Sequence, residues 1–208
     1  MKNFRLPLSI LAAVLVAAGS AFADPVVLNG SFESPDVVGG SIANGGTFWT
    51  PSGSGVFMFD NVSGFGQTPF GSQYLALNPG RSDSQTISGF QLGTVYTFSA
   101  YFADLINSTD PALTVTLSGV ISLSQTFTAP VSRVSGTAAI PFRQVTFTLP
   151  ALTVSGALTL TLTNASTNGT IAVDNVSIVP EPSSVLAAFV GLGVVGCAFV
   201  KRRTQLQS

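Results

Sequence analysis

Apolar and polar side chains alternate strictly through the middle of this 208-residue chain. Four segments show the alternation most clearly, each with Phe, Leu, Val or Ala at every second position and mainly Thr or Ser between: residues 96–102, 113–118, 145–149 and 158–163. A period of two, rich in β-branched residues, is typical of strands with one face buried and the other in solvent. These segments therefore predict half-buried antiparallel strands.

Shorter apolar runs, bounded by Gly and Pro, predict further strands at residues 26–28, 57–59, 73–77, 84–87, 122–127 and 171–179. Residues 24–178 contain no segment with the periodicity of an amphipathic helix. Many short strands separated by loops favour an all-β body, an antiparallel β-sandwich, with the jelly roll as the most specific expectation.

The first 23 residues have the pattern of a secretory signal peptide. Lys2 and Arg5 precede an apolar stretch over residues 6–18, and Ala21-Phe22-Ala23 supplies the small residues of a cleavage site. The sequence thus predicts export through the secretion translocon, with a mature chain that begins at Asp24.

The last thirty residues have three parts in succession. The motif Val179-Pro180-Glu181-Pro182 precedes an uncharged apolar run over residues 185–200, and the basic cluster Lys201-Arg202-Arg203 follows. As a helix the run would be about 24 Å long, short for a hydrocarbon core of about 30 Å. The basic cluster favours a cytoplasmic end, which places the body outside the inner membrane and leaves residues 204–208 as a cytoplasmic tail.

This order of motif, span and basic cluster resembles the PEP-CTERM sorting signal of exopolysaccharide-producing Gram-negative bacteria. The resemblance assigns residues 179–203 to the signal and implies cleavage near Pro180-Glu181-Pro182 by an exosortase, a membrane transpeptidase or protease. It also implies a protein that is first membrane-anchored and then at the cell surface or extracellular. The alternative is an ordinary tail anchor in which the motif occurs by chance.

Charge and histidine content exclude several functions. Residues 24–179 carry three arginines against eight acids, with neither lysine nor histidine, so a nucleic-acid partner is not expected. The only cysteine, Cys197, lies in the apolar run, so the body has no disulfide. Without histidine no Ser-His-Asp or Cys-His site can form. We expect no enzymatic activity, although a glycosidase-like carboxylate pair stays open.

A second resemblance joins the two ends of the body. Residues 28–33 (LNGSFE) and 172–178 (AVDNVSI), with 71–77, 84–87 and 96–101 between them, are similar to the galactose-binding-like jelly rolls of many carbohydrate-binding modules. The resemblance implies one structural calcium ion held by Glu33 and Asp174 together with backbone carbonyls, a ligand set that calcium accepts. The alternative is a solvated Glu33 and a polar kink at Asp174.

The apolar parity of the last predicted strand changes near Asp174. Ile171 and Val173 share one parity, whereas Val176 and Ile178 share the other. A β-bulge at Asp174-Asn175 would account for the change and would re-aim the carboxylate.

Sugar binding by such a module requires exposed aromatic rings with polar groups nearby. Tyr101 lies on the polar face of its predicted strand, and Trp49 lies in the Gly-rich segment 44–72. The alternative for both is packing in the core. The sequence therefore favours a non-catalytic surface or matrix protein associated with exopolysaccharide, and leaves open a secreted carbohydrate-active enzyme or a purely structural matrix protein.

Overall fold

The computed structural model describes residues 24–106, 109–132 and 136–181, and within these ranges the chain forms thirteen strands and no helix. No helix able to span a membrane therefore occurs in this part of the chain. The predicted signal peptide and the apolar run with its basic cluster lie outside the described residues. The strands are β1 (Ser41–Ala43), β2 (Thr50–Pro51), β3 (Val56–Asp60), β4 (Phe65–Gln67), β5 (Gln73–Leu77), β6 (Ser82–Phe90), β7 (Tyr96–Ile106), β8 (Ala112–Gly119), β9 (Leu123–Thr128), β10 (Gly136–Ala139), β11 (Arg143–Leu149), β12 (Gly156–Asn164) and β13 (Thr170–Pro180).

Two antiparallel sheets form the sandwich. The six-stranded sheet has the order β1-β3-β5-β13-β7-β11, and the five-stranded sheet has the order β2-β6-β12-β8-β9. A small parallel pair, β4 with β10, is not hydrogen-bonded into either sheet. This arrangement confirms the predicted all-β, antiparallel jelly-roll sandwich.

The core lies between the two sheets and is built from the predicted alternate positions. Leu158, Leu160 and Leu162 of β12 are fully buried, as are Phe98 and Phe102 of β7. Burying a side chain of this size contributes about 1.5–3 kcal/mol. Because the body has no disulfide, this core must supply most of its stability.

A second apolar layer covers part of the outer face of the six-stranded sheet. Phe59, Tyr74, Ala103 and Leu105 point away from the main core, yet each is at most 8% exposed. The chain segment that contains β4 covers them, and the side chain of Ile140 packs in the same layer. The N–H of Ile140 donates to the carbonyl of Gln67 (2.9 Å), which joins it to the β4 segment. This half of the sheet is therefore buried on both faces, which explains why all five residues of β5 are buried.

The bulge predicted in the last strand is confirmed. The register of β13 against β7 shifts between Asp174 and Ser177, and Asn175 adopts a φ of 48°. Ile171 and Val173 before the shift face the main core, as does Val176 after it. Because of the extra residue, the apolar side chains of both halves of the strand face the core.

One predicted strand is wrong. Residues 26–28 do not pair with any strand. The N–H of Leu28 donates to Oε1 of Gln85 (2.8 Å), and its carbonyl accepts from Nε2 of Gln85 (2.8 Å) and from Nε1 of Trp49 (3.2 Å). Side chains thus satisfy the backbone groups that a strand partner would have taken.

Candidate functional site

The carboxylate of Glu33, the first of the two residues implied as calcium ligands, lies at the start of β5. Oε1 of Glu33 accepts hydrogen bonds from the backbone N–H groups of Ser72 (2.8 Å) and Gln73 (3.0 Å). The carboxylate lies directly on Gly71, where a β-carbon would come within 2.1 Å of Oε1. Since Gly71 also has a φ of 149°, this position accepts glycine alone.

Asp174 is fully buried, and the charge of Glu33 acts on its carboxyl. Its Oδ2 accepts a hydrogen bond from Oγ1 of Thr68 (2.5 Å), and its Oδ1 accepts one from the N–H of Asn175 (2.6 Å). Burial raises the pKa of Asp174 to about 7, the two hydrogen bonds oppose that rise, and the negative charge of Glu33 adds to it. Burial and the charge of Glu33 both disfavour the ionised form of Asp174. A cation bound here would therefore stabilise that ionised form.

The oxygen atoms at this position are of the type that binds calcium. Glu33 and Asp174 supply hard carboxylate oxygens, and Thr68 adds a hydroxyl; calcium is held by such oxygens in flexible geometry. Among the described residues no cluster of three acidic, His or Cys side chains occurs, so the remaining ligands would be backbone carbonyls. Thr68 was not singled out from the sequence, because its approach to Asp174 spans 106 residues.

Tyr101 lies in an aromatic group at the edge of the second apolar layer. Its ring centroid is 4.3 Å from that of Phe70, and Phe70 contacts Phe142 edge-on at 5.7 Å. All three side chains are half-buried. Tyr101 is thus partly exposed as the strand parity predicted, with Phe70 covering part of its ring.

Polar side chains continue the same face next to Tyr101. Gln144 of β11 pairs with Tyr101 across the sheet and is exposed. One row further along, the hydroxyls of Ser99 and Ser177 lie 2.8 Å apart. An aromatic ring beside an amide and paired hydroxyls is the combination that sugar recognition uses. Ser99 and Tyr101 are two residues apart on β7, so the sequence alone indicated that their side chains lie on the same face.

Trp49 does not lie on this face. It is only 6% exposed, its ring packs against Phe32 at 5.2 Å, and its Nε1 donates to the carbonyls of Leu28 and Asn29 (3.2 Å each). Because its side chain is buried and its Nε1 is bonded inside the body, Trp49 is not available to stack on a sugar.

Another buried carboxylate, Asp83 of β6, belongs to the five-stranded sheet. It is fully buried, its Oδ1 accepts a hydrogen bond from the N–H of Ser84 (3.1 Å), and its Oδ2 has no partner in the part of the chain that the structure describes. Gly45 lies directly against the carboxylate. Burial raises the pKa of Asp83 to about 7. The sequence carried a signal for this, since Asp83 shares the inward parity of Gln85 and Ile87.

The described part of the predicted sorting motif is attached to the body. Val179 and Pro180 are the last residues of β13 and pair with Thr97 and Tyr96. The N–H of Glu181 donates to the carbonyl of Val95 (2.9 Å), and the hydroxyl of Thr97 donates to the Glu181 carboxylate. Glu181 is extended and exposed, but it is held by the sheet; Pro182 lies outside the described residues.

Solved structures of other proteins share the fold of this body. No family model and no curated protein matches the chain. A cyclase from Fischerella sp. TAU, solved with 4-(1H-indol-3-yl)butan-2-one, superposes with a TM-score of 0.61 at 16% identity, over 77% of this chain and 98% of the other. TmCBM61, solved with β-1,4-galactotriose, superposes with a TM-score of 0.50 at 12% identity, over 76% and 100%. The body shares its jelly-roll fold with both. At these identities the likeness concerns the fold.

Proposed function

We propose that this protein is an exported, exosortase-processed protein of the cell surface or extracellular matrix, whose non-catalytic jelly roll associates with exopolysaccharide. The observation that carries the proposal is the half-exposed pair Phe70 and Tyr101, set beside Gln144 and the Ser99–Ser177 hydroxyls on one face of the sheet. The likeness in fold to TmCBM61, a carbohydrate-binding module, supports it.

The chemistry of this face suits a neutral glycan. The Tyr101 ring offers a surface for the apolar face of a pyranose, and the adjacent amide and hydroxyls match sugar hydroxyl groups. Ser99, Ser177 and Gln144 are uncharged, so these three side chains offer no ion pair to an acidic or basic polymer. One structural calcium at Glu33 and Asp174 would hold the loop of Phe70 against the sheet, because Thr68 and Gly71 flank Phe70.

Replacing Tyr101 with Ala is expected to weaken binding to a neutral oligosaccharide about tenfold, or ~1.4 kcal/mol, since the ring is removed. The measurement is a glycan array followed by titration calorimetry with the best-bound sugar. Phe48→Ala is the matched control, because Phe48 is an exposed aromatic residue outside this face. Equal loss in both variants would contradict the proposed face.

The same glycan panel separates the alternatives. A flat response across neutral glycans would favour a purely structural matrix protein. Turnover of a glycan, abolished by one carboxylate substitution, would favour a secreted carbohydrate-active enzyme on this fold.

The sorting part of the proposal is tested at Glu181. In a host that contains an exosortase, Glu181→Ala is expected to abolish processing, so that the longer, membrane-associated form accumulates on a denaturing gel. Thr97→Val keeps the motif intact and removes only its hydrogen bond to the body, so processing should continue at the wild-type rate or faster. Normal processing of Glu181→Ala would refute recognition of this motif.

A further inference from the structure

Three uncharged, apolar loops lie at one end of the jelly roll. They are residues 91–95 (QLGTV), 120–122 (VIS) and 150–155 (PALTVS). They lie at the same end because the strand ends that they connect are paired with one another. Tyr96 pairs with both Leu149 and Pro180. Gly156 pairs with Phe90, and Leu158 pairs with Gly119. The N–H of Gly93 donates to the carbonyl of Leu152 (2.9 Å), which joins two of the loops. We call this end the base.

Both ends of the described chain leave from the base. Glu181 is fixed there by its bond to Val95. Residues 24–27 lie beside residues 176–180 around a cleft of about 320 Å³. The predicted signal peptide and the predicted tail are therefore attached at the same end of the body.

Large apolar side chains are exposed at the base. Leu92 is 64% exposed and Val154 58%, and Val26 and Val179 are also more than half exposed. Single exposed apolar residues are common on protein surfaces. Leu92 and Val154 lie on the base loops, whereas Val26 and Val179 line the cleft. The base loops carry no charge that would favour water instead.

Chain length sets how far the base can lie from a membrane. Residues 182–184 are the only ones between Glu181 and the apolar run that starts at residue 185. Three extended residues span about 10 Å at most. The headgroup layer on each side of a bilayer is about 5–8 Å thick. With the run in the hydrocarbon core, the base is therefore held against the headgroups.

We propose that the base is a membrane-contact surface, which inserts Leu92 and Val154 into the interface of a zwitterionic lipid bilayer. This inference rests on the proposed function, because it requires the tail to be in the membrane. The charged residues near the base are Asp24 and Glu181, both acidic, so the attraction comes from apolar burial and not from anionic lipid headgroups.

The test uses residues 24–208, the predicted mature chain with its tail, reconstituted in phosphatidylcholine vesicles with or without bromine on the acyl chains as a fluorescence quencher. L92W and V154W are expected to lose most of their added emission in vesicles of the brominated lipid and to keep it in vesicles without bromine. V131W is the matched control, because Val131 is similarly exposed at the opposite end, where Ser132 bonds to Asp104. The wild type, with the buried Trp49 alone, gives the background.

Flotation of the vesicles distinguishes membrane anchoring by the tail from membrane contact by the base. If the chain floats with the vesicles but L92W and V131W are quenched equally, or neither is quenched, the base contact is refuted while membrane anchoring stands. If the chain does not float, anchoring by the tail is refuted, and the base contact with it. Flotation with quenching confined to L92W and V154W supports both.

Discussion

Replacing Asp83 with Asn is expected to raise the melting temperature of the protein at pH 8 and to leave it nearly unchanged at pH 4. Asp83 is fully buried with one carboxylate oxygen that has no partner among the described residues, so its ionised form is destabilised in the folded state. Burial raises its pKa from 3.8 to about 7. Asn has a similar shape and no proton to lose.

The sign of the pH dependence follows from the direction of this pKa shift. Below pH 3.8 the carboxyl is protonated in both folded and unfolded chains, so it imposes no ionisation penalty. Between pH 3.8 and about 7 the unfolded chain loses its proton first, and the stability of the wild type falls as pH rises. Above pH 7 the penalty is constant, at about 4 kcal/mol from the size of the shift.

The measurement is calorimetric unfolding of the wild type and Asp83→Asn from pH 4 to pH 8. A penalty of this size corresponds to roughly 10 °C in melting temperature for a body of this length. The rise of pKa at Asp174 affects both proteins equally and cancels in the comparison. Asp36→Asn, at an exposed acid, should show no such divergence. Parallel curves for the wild type and Asp83→Asn would contradict the prediction.

Calcium is expected to raise the melting temperature of the wild type, and chelation to reverse the rise. Neither Glu33→Gln nor Asp174→Asn should respond, because each removes one of the two carboxylates proposed to hold the ion. At a calcium concentration about one hundred times the dissociation constant, binding to the folded state alone adds about 2.7 kcal/mol. That corresponds to roughly 5–10 °C.

Asp83→Asn is the matched control for this second experiment. It also replaces a buried carboxylate, but away from Glu33, and it should keep the full calcium response. A wild-type melting temperature independent of calcium would remove the metal from this site. A response retained in both Glu33→Gln and Asp174→Asn would place the ion elsewhere.

The strands and the bulge were predictable because their signals are local. In β7 and β12 every second residue faces the core, so the buried set can be read from a period of two along a few residues. The bulge at Asp174 followed from a change in the same parity within one strand. In each case the physical cause, the pleat of an extended chain, acts between neighbouring residues.

Contacts between distant residues could not be predicted in this way. Residues 26–28 have an apolar pattern typical of a strand, but they pair with no strand, and Gln85 and Trp49 bond the backbone groups of Leu28 instead. Trp49 was a candidate sugar platform until the fold placed Phe32 against its ring. An apolar residue suits a core and an exposed binding face equally well, and only its final neighbours decide between them.

The sequence by itself thus determined the fold class, the alternation of buried and exposed positions and the break at Asp174, because these depend on backbone geometry over a few residues. Only the tertiary structure decided that Thr68 donates to Asp174, that Phe70 covers part of Tyr101, that Asp83 is buried against Gly45, and that both ends of the body leave from one base. Each of these juxtapositions depends on how two sheets pack and which strands pair. That packing is set by the summed burial of the whole core and not by any single segment.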